Sequence, residues 1–245
     1  STFSGLVRYD GITFTVFGIN ETKGLLSNTV LSIKEDKNKN LWLLDDEGHL
    51  VKFDGVTFTG FEKSFGNINI SNFCFSEDGT LYVSTTNNEI YTVVGNILDF
   101  STRINQYNIR LITEGKNNSL LIATTGGLFE LKNGNIQQVE SIPKTEILSL
   151  CYDRDNFLWV GTKEGIFKVS AAKTETISLP DESEGFFRIF VDRQNRKWIF
   201  DGLEGIYLLG TNDFTQITEE SGLSSNNVKT VYQDLEDNIW VGTNN

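Results

Sequence analysis

The sequence predicts an all-β fold in which six four-stranded sheets are arranged around one axis. A motif of about 39 residues recurs along the 245-residue chain, and each copy has short apolar runs separated by turn residues. No long segment shows the 3.6-residue apolar period of a helix. The 18 phenylalanines, 22 glycines and only two prolines suit short strands joined by tight turns. Four-stranded blades stacked radially in this way form a β-propeller.

Each copy of the motif is aligned on one anchor position. The anchors are Trp42, Tyr82, Leu121, Trp159, Trp198 and Trp240. Both neighbours of every anchor are apolar except Lys197. Because alternate residues of a strand point to opposite faces, this strand is predicted to be buried on both sides and its anchor to belong to the core.

The other strands follow from the same alignment. An apolar run precedes each anchor and is separated from it by a turn such as 36–40 or 153–157, rich in Asp and Asn. A third apolar strand follows the anchor, and a more polar fourth strand is predicted at 55–61 and 135–140. Acidic pairs in the turns, such as Asp153 with Asp155, are interpreted as solvated hairpin carboxylates rather than as a calcium site or a catalytic pair.

The two ends of the chain are complementary halves of one repeat. Residues 1–17 align with third and fourth strands, whereas the last repeat stops after its second strand, with 1–4 at the template positions of 242–245. We therefore expect a single domain, 1–245, of six blades, one of them shared between the termini. A seventh blade, a slice of a longer array, and an open solenoid or sandwich are the alternatives.

Charge and composition exclude several classes of function. The formal net charge of −12 argues against nucleic acid as a partner, and no apolar run is long enough to insert into a membrane. Cys74 and Cys151 occupy one template position in non-adjacent repeats, so we expect two free, buried thiols. The only histidine, His49, is interpreted as a turn residue, and neither a metal nor a cofactor is predicted.

The segments 26–44, 147–169 and 223–243 resemble the two-component regulator propeller repeat. This resemblance implies the periplasmic or cell-surface sensor part of a bacterial hybrid regulator, with no enzymatic activity and with carbohydrate as the favoured ligand. Related propellers are surface components of secretion systems. The pattern also loosely resembles streptogramin lyase propellers, for which a catalytic histidine and a metal are expected. A lone His49 disfavours that activity.

A mostly polar column on the first strands is predicted to line a central channel, and cationic and aromatic residues lie in or near it. We predict that six residues contribute to a site for a sugar or an anion: Asn72, Arg103, Tyr107, Arg110, Arg188 and Lys229. The alternative is a channel that holds only water. A scaffold that binds another protein or a second propeller is the competing function.

Overall fold

The computed structural model of the chain describes residues 5–61, 68–95, 97–170, 172–180, 186–210 and 213–244. The fold is all-β, and the only helix in these ranges is the 3₁₀ turn Glu219–Ser221. The chain divides into two compact units, one of Ser1–Ile122 with Glu130–Gln137 and one of Ala123–Phe129 with Gln138–Asn245. The boundary passes through the third of five four-stranded sheets.

The first unit begins with a two-stranded sheet and continues with two complete four-stranded sheets. Its strands are β1 (Leu6–Tyr9), β2 (Phe14–Phe17), β3 (Val30–Glu35), β4 (Leu41–Asp45), β5 (Leu50–Phe53), β6 (Phe58–Gly60), β7 (Ile70–Phe75), β8 (Leu81–Thr85), β9 (Glu89–Val94) and β10 (Ile97–Arg103). The third sheet contributes to both units and has the strands β11 (Ile109–Glu114), β12 (Leu120–Thr124), β13 (Gly127–Lys132) and β14 (Asn135–Gln138).

The second unit contains two further four-stranded sheets and a final two-stranded sheet. Its strands are β15 (Ile147–Tyr152), β16 (Leu158–Thr162), β17 (Ile166–Val169), β18 (Thr174–Ile177), β19 (Arg188–Val191), β20 (Lys197–Phe200), β21 (Ile206–Leu209), β22 (Phe214–Ile217), β23 (Val228–Gln233) and β24 (Ile239–Thr243). The described pairings in this unit are antiparallel and join consecutive strands, as the repeat predicts.

The prediction of a sixth blade shared between the two termini is wrong for the described part of the chain. Five sheets have four strands, whereas β1–β2 and β23–β24 are two separate two-stranded sheets. Each of these strand pairs is hydrogen-bonded internally, and no described sheet combines strands from both ends of the chain. The predicted overlap of 1–4 with 242–245 lies partly outside the described residues, which exclude 1–4 and 245.

The anchors are core residues in most repeats. Trp42, Leu121, Trp159 and Trp198 are buried, and β12 and β16 are buried along their whole length, as predicted for strands covered on both faces. Tyr82 is half-buried. A buried anchor such as Trp159 packs against Ile189 and Ile199 of the following sheet, so adjacent sheets share one apolar cluster.

Trp240 contradicts the core prediction, because 53% of its surface is exposed. Its strand pairs with β23 in the same register that the other anchor strands have with their first strands. However, the sheet that carries Trp240 is the last in chain order, and the buried anchors derive their cover from a following sheet.

Among the described residues, no helix has the length and apolar character that crossing a membrane requires.

Candidate functional site

The structure brings two of the predicted ligand residues together in the second unit. Arg188 is the first residue of β19, and its Nη1 donates a hydrogen bond of 3.0 Å to the carbonyl oxygen of Lys229. Lys229 lies where the register of β23 and β24 shifts, between Val228 and Thr230. Both side chains are exposed. The contact between the two residues is thus made through the backbone of Lys229.

The other four predicted residues lie in the first unit. Arg103 ends β10 and forms an ion pair with Glu89 at the start of β9. Asn72 lies in β7, where its amide is 3.5 Å from the hydroxyl of Ser71. Arg110, in β11, is exposed, and Tyr107, in the loop before that strand, is half-buried. Arg103 is thus already engaged by a carboxylate of its own sheet.

The loop that carries Tyr107 is fixed by Asn88. Asn88 adopts a left-handed conformation (φ 61°), which Asn tolerates better than most residues. Its side chain donates to Asn108 Oδ1 at 3.2 Å and accepts from the backbone N–H of Ile109 at 2.9 Å. Its carbonyl accepts from Ile104 N. Sequence reasoning missed this residue, although an Asn in the "TTNNE" turn is a signal for such geometry.

The turn carboxylates are structural, and the interpretation of Asp153 as solvated is wrong. Asp153 is only 5% exposed. Its Oδ2 accepts the indole N–H of Trp159 at 2.8 Å, and its Oδ1 accepts the backbone N–H groups of Asp155 and Phe157 at 3.0 and 2.9 Å. Burial raises the pKa of Asp153, but the hydrogen bonds from Trp159, Phe157 and Lys197 outweigh it and keep the pKa below its usual value.

The same hydrogen bond closes three other turns. The pairs, with the Nε1 to Oδ2 distances, are Trp42 with Asp36 (3.0 Å), Trp198 with Asp192 (2.8 Å) and Trp240 with Asp234 (2.7 Å). The sequence contained the signal, because Asp stands six residues before the anchor in the four repeats that have Trp. In the two repeats without Trp the position holds Ser76 or Gly115.

His49 is held against the turn between β4 and β5. Its Nδ1 lies 3.1 Å from Oδ2 of the buried Asp45, whose Oδ1 accepts the backbone N–H groups of Glu47 and His49. This arrangement orients the imidazole within a turn. No group of three or more His, Cys, Asp or Glu side chains in the described ranges is arranged to hold a metal ion.

A cleft in the second unit was not foreseen from the sequence. Its volume is about 400 Å³, and its lining includes Tyr152 and Arg154 at the end of β15, Phe190 and Arg193 at the end of β19, and Gln233 of β23. We call it the β15–β19 cleft. It forms where equivalent turns of consecutive sheets meet, at the end of β19 opposite to Arg188.

Three stretches of the chain, 24–47, 141–164 and 222–245, match the family model of the two component regulator propeller. Each of these stretches is therefore similar to one repeat of that family. The matched repeats contain the anchors Trp42, Trp159 and Trp240 with their aspartates, and they agree with the resemblance that the sequence predicts. No curated protein sequence matches the chain.

Solved structures with a similar fold include parts of bacterial two component systems. The extracellular domain of a putative hybrid two component system from B. thetaiotaomicron matches with a TM-score of 0.80 and 19% identity, over 99% of this chain and 36% of that one. The chain therefore spans about a third of that domain. The extracellular domain of a putative one component system from B. thetaiotaomicron matches at 0.58 and 18%, over 88% and 37%.

A propeller enzyme has a similar fold as well. Virginiamycin B lyase from Staphylococcus aureus matches with a TM-score of 0.72 and 13% identity, over 94% of this chain and 81% of that one. At these identities the likeness shows the fold alone. The fold of the chain is thus a β-propeller of four-stranded blades.

Proposed function

We propose that this chain is a non-catalytic sensor propeller of a bacterial two component regulator, acting in the periplasm or at the cell surface. The three two component regulator propeller repeats are the observation that carries the proposal. The likeness of nearly the whole chain to an extracellular domain of a hybrid two component system supports it. On this proposal, residues 1–245 act as one propeller domain whose ligand state is transmitted to the rest of the regulator.

The ligand that we favour is an oligosaccharide, a class that comes from the family resemblance. In the second unit, Arg188 and Lys229 are both exposed, and the Arg188 side chain contacts the backbone of Lys229. In the first unit, Arg110 and the half-buried Tyr107 offer a guanidinium and an aromatic ring. Guanidinium groups donate several hydrogen bonds in a fixed plane, and aromatic faces pack on apolar faces of sugar rings, so both residue types suit this ligand.

The contacts of the acidic residues favour a binding role over catalysis. The oxygens of two buried turn aspartates, Asp153 and Asp192, accept hydrogen bonds from indole and backbone N–H groups. A general acid or base needs an accessible group within reach of a substrate, and these two carboxylates are engaged in the fold.

Titration calorimetry with a panel of neutral oligosaccharides from polysaccharide breakdown tests the proposal. Arg188→Ala and Lys229→Ala should each weaken binding of the ligand that is found by about tenfold, the loss expected for one charge-assisted hydrogen bond. Lys173→Ala is the matched control, because Lys173 is an exposed cation of the same unit that pairs with Glu175. Binding that is unchanged in both variants, or cleavage of the oligosaccharide, would contradict the proposal.

A second candidate function is docking of another protein domain, and the β1–β2 sheet favours it. Ile12, Phe14 and Val16 of this sheet and its turn are 88%, 72% and 57% exposed. Large patches of exposed apolar surface are typical of protein interaction sites. Sedimentation of the purified parent chain and of its Phe14→Ser variant tests self-association through this sheet. If both proteins were monomers at all concentrations, a second copy of the chain would not be the partner.

A further inference from the structure

The β15–β19 cleft is built by two equivalent turns. Arg154 and Arg193 each follow the buried turn aspartate of their own repeat, so the repeat places them at matching positions in consecutive sheets. The turns are tied to each other, because Asn195 Oδ1 accepts the backbone N–H of Arg154 at 3.0 Å and Asn195 Nδ2 donates to Asp155 Oδ2 at 2.8 Å. These bonds fix the spacing of the two arginines around one opening.

The carboxylates that line the cleft are already neutralised. Asp153 Oδ2 lies 3.3 Å from Lys197 Nζ, and Asp192 Oδ2 lies 2.5 Å from Arg196 Nε. Both carboxylates also accept indole N–H groups. Because each buried negative charge has its own cation and Arg193 is paired with Asp237, the uncompensated charge that the cleft presents to a ligand comes from Arg154.

Both guanidinium groups retain N–H groups that donate no hydrogen bond within the described part of the chain. In the part of the chain that the structure describes, the side chain of Arg154 makes no hydrogen bond or ion pair, and it is exposed. Arg193 Nη2 lies 3.1 Å from Asp237 Oδ1 and Nη1 lies 3.5 Å from the carbonyl oxygen of Leu235, but Nε of the same side chain is buried and has no hydrogen-bond partner among the described residues. A buried N–H without an acceptor costs free energy, so an acceptor that reaches this group is stabilising.

The remaining lining combines apolar and polar side chains. Phe190, Val191 and Tyr152 supply ring and aliphatic surface, and Gln233 is fixed by hydrogen bonds to Arg193 N at 2.6 Å and Gln194 Oε1 at 2.8 Å. The volume of about 400 Å³ is within the range of ligand pockets. It accommodates one ring with a short substituent.

We propose that the β15–β19 cleft binds a small ring-shaped carboxylate. Arg154 and Arg193 donate to the two carboxylate oxygens, the pairing for which guanidinium geometry is suited, and the ring lies against Phe190 and Tyr152. This site is at the opposite end of β19 from Arg188. It is separate from the proposed sugar site and does not depend on it.

Calorimetric titration of the full chain with two carboxylates tests the proposal and identifies the kind of ring. Benzoate represents an aromatic acid and glucuronate an acidic sugar, and benzamide and glucose are their neutral counterparts. We expect one acid of the two to bind and its neutral counterpart not to bind. Arg154→Ala should weaken this binding at least about tenfold, as the loss of a charge-assisted hydrogen bond predicts.

Two variants act as controls for this experiment. Arg8→Ala removes an equally charged, exposed side chain of the first unit and should leave binding unchanged. Arg193→Lys keeps the charge but loses the planar donor pair, so it should bind more weakly than the parent while unfolding at the same temperature. The proposal is overturned if neither acid binds, if the neutral counterparts bind equally well, or if Arg154→Ala binds like the parent. None of these results bears on the neutral oligosaccharides.

Discussion

The indole N–H of Trp159 donates a 2.8 Å hydrogen bond to Oδ2 of Asp153, six residues earlier in the same hairpin. The bond joins the core side chain of β16 to the turn that precedes it. Burial of the indole ring is therefore coupled to closure of the turn. Asp153 Oδ1 accepts two backbone N–H groups of that turn. One carboxylate thus accepts hydrogen bonds from three donors. Without it, the two backbone N–H groups would need water as their acceptor at the edge of the core.

The repeats that lack tryptophan close the same turn differently. In the second repeat, with Tyr82 as anchor, Ser76 Oγ donates to Asp78 Oδ1 at 2.7 Å, and that carboxylate accepts the backbone N–H of Thr80 at 2.9 Å. The carboxylate has moved two residues along the turn. Because a tyrosine has no indole N–H to satisfy, a buried acceptor six residues before the anchor is no longer needed.

Trp159→Ala should destabilise the protein by about 3–5 kcal/mol, the usual cost of truncating a large buried aromatic residue. Trp159 is 2% exposed, and its loss also leaves Asp153 without the indole donor. Trp240→Ala is the matched control, because Trp240 makes the same hydrogen bond but is 53% exposed, and we expect it to cost less than half as much. Urea unfolding measures both. Equal losses of stability in the two variants would mean that burial by the following sheet does not determine how much an anchor tryptophan stabilises the fold.

The anchors illustrate what the repeat can predict and what it cannot. The burial of both strand faces follows from the continuous apolar run of each anchor with its neighbours, which is why the sequence places Trp42, Trp159 and Trp198 correctly in the core. Trp240 has the same local pattern and is nevertheless half exposed. Its cover depends on a neighbouring sheet, which is a tertiary property that the pattern within one repeat does not encode.

The candidate site shows the same division. Arg188 and Lys229 were predicted from their template columns, and their proximity follows because equivalent strands of consecutive sheets lie side by side. Pairing of Arg103 with Glu89 was not predicted, since the partners come from different strands and from different columns of the repeat. The β15–β19 cleft was also missed, because it depends on the volume that Phe190 and Val191 leave between two turns.

Gly161→Ala should destabilise the protein by about 1–3 kcal/mol, the range for overpacking a close contact. A Cβ at this position would lie 2.1 Å from the carbonyl oxygen of Phe187 and 2.5 Å from Ser149 Oγ. The first is backbone of the following sheet, so relief requires that two sheets move apart. Gly242 occupies the same repeat position, where a Cβ would meet only the Thr230 side chain closely, at 2.8 Å.

Gly242→Ala is therefore the control for this effect, and we expect it to cost clearly less than Gly161→Ala. Thermal unfolding of the two variants gives the comparison. A similar fall in Tm for both would show that the close approach of the sheets at Gly161 is not what requires glycine in the "WVGT" motif.

The two cysteines should react with Ellman's reagent only after unfolding. Both are free, as predicted, but only Cys74 is buried, whereas Cys151 is half-buried. Desolvation raises the pKa of each thiol to about 12, so little thiolate is present near neutral pH. Denatured protein should yield two thiols, and native protein should react slowly. Cys74→Ser and Cys151→Ser, each leaving one thiol, assign the slow phases. Fast reaction of both thiols in the native state, or no thiol in the denatured one, would contradict the assignment.

Acid should destabilise the fold through the turn aspartates. The pKa values of Asp153 and Asp192 are lowered from the ordinary 3.8, since hydrogen bonds from Trp159 and Trp198 and their neighbours outweigh the effect of burial. A carboxyl whose pKa is lower in the folded state contributes stability above the unfolded pKa and loses it as the pH falls through the folded one. We expect the free energy of unfolding to be nearly constant above about pH 5 and to fall between about pH 4 and pH 2.

Asp153→Asn separates this effect from general acid unfolding. The amide still accepts through its oxygen but carries no charge, so the variant should be less stable than the parent at neutral pH and should depend less on pH in the acid range. Urea unfolding across the acid range provides the measurement for both proteins. If the variant kept the full acid dependence of the parent, Asp153 would not be one of the groups that take up protons on unfolding. Its hydrogen bond to Trp159 would then stabilise the fold through its geometry rather than through the charge of the carboxylate.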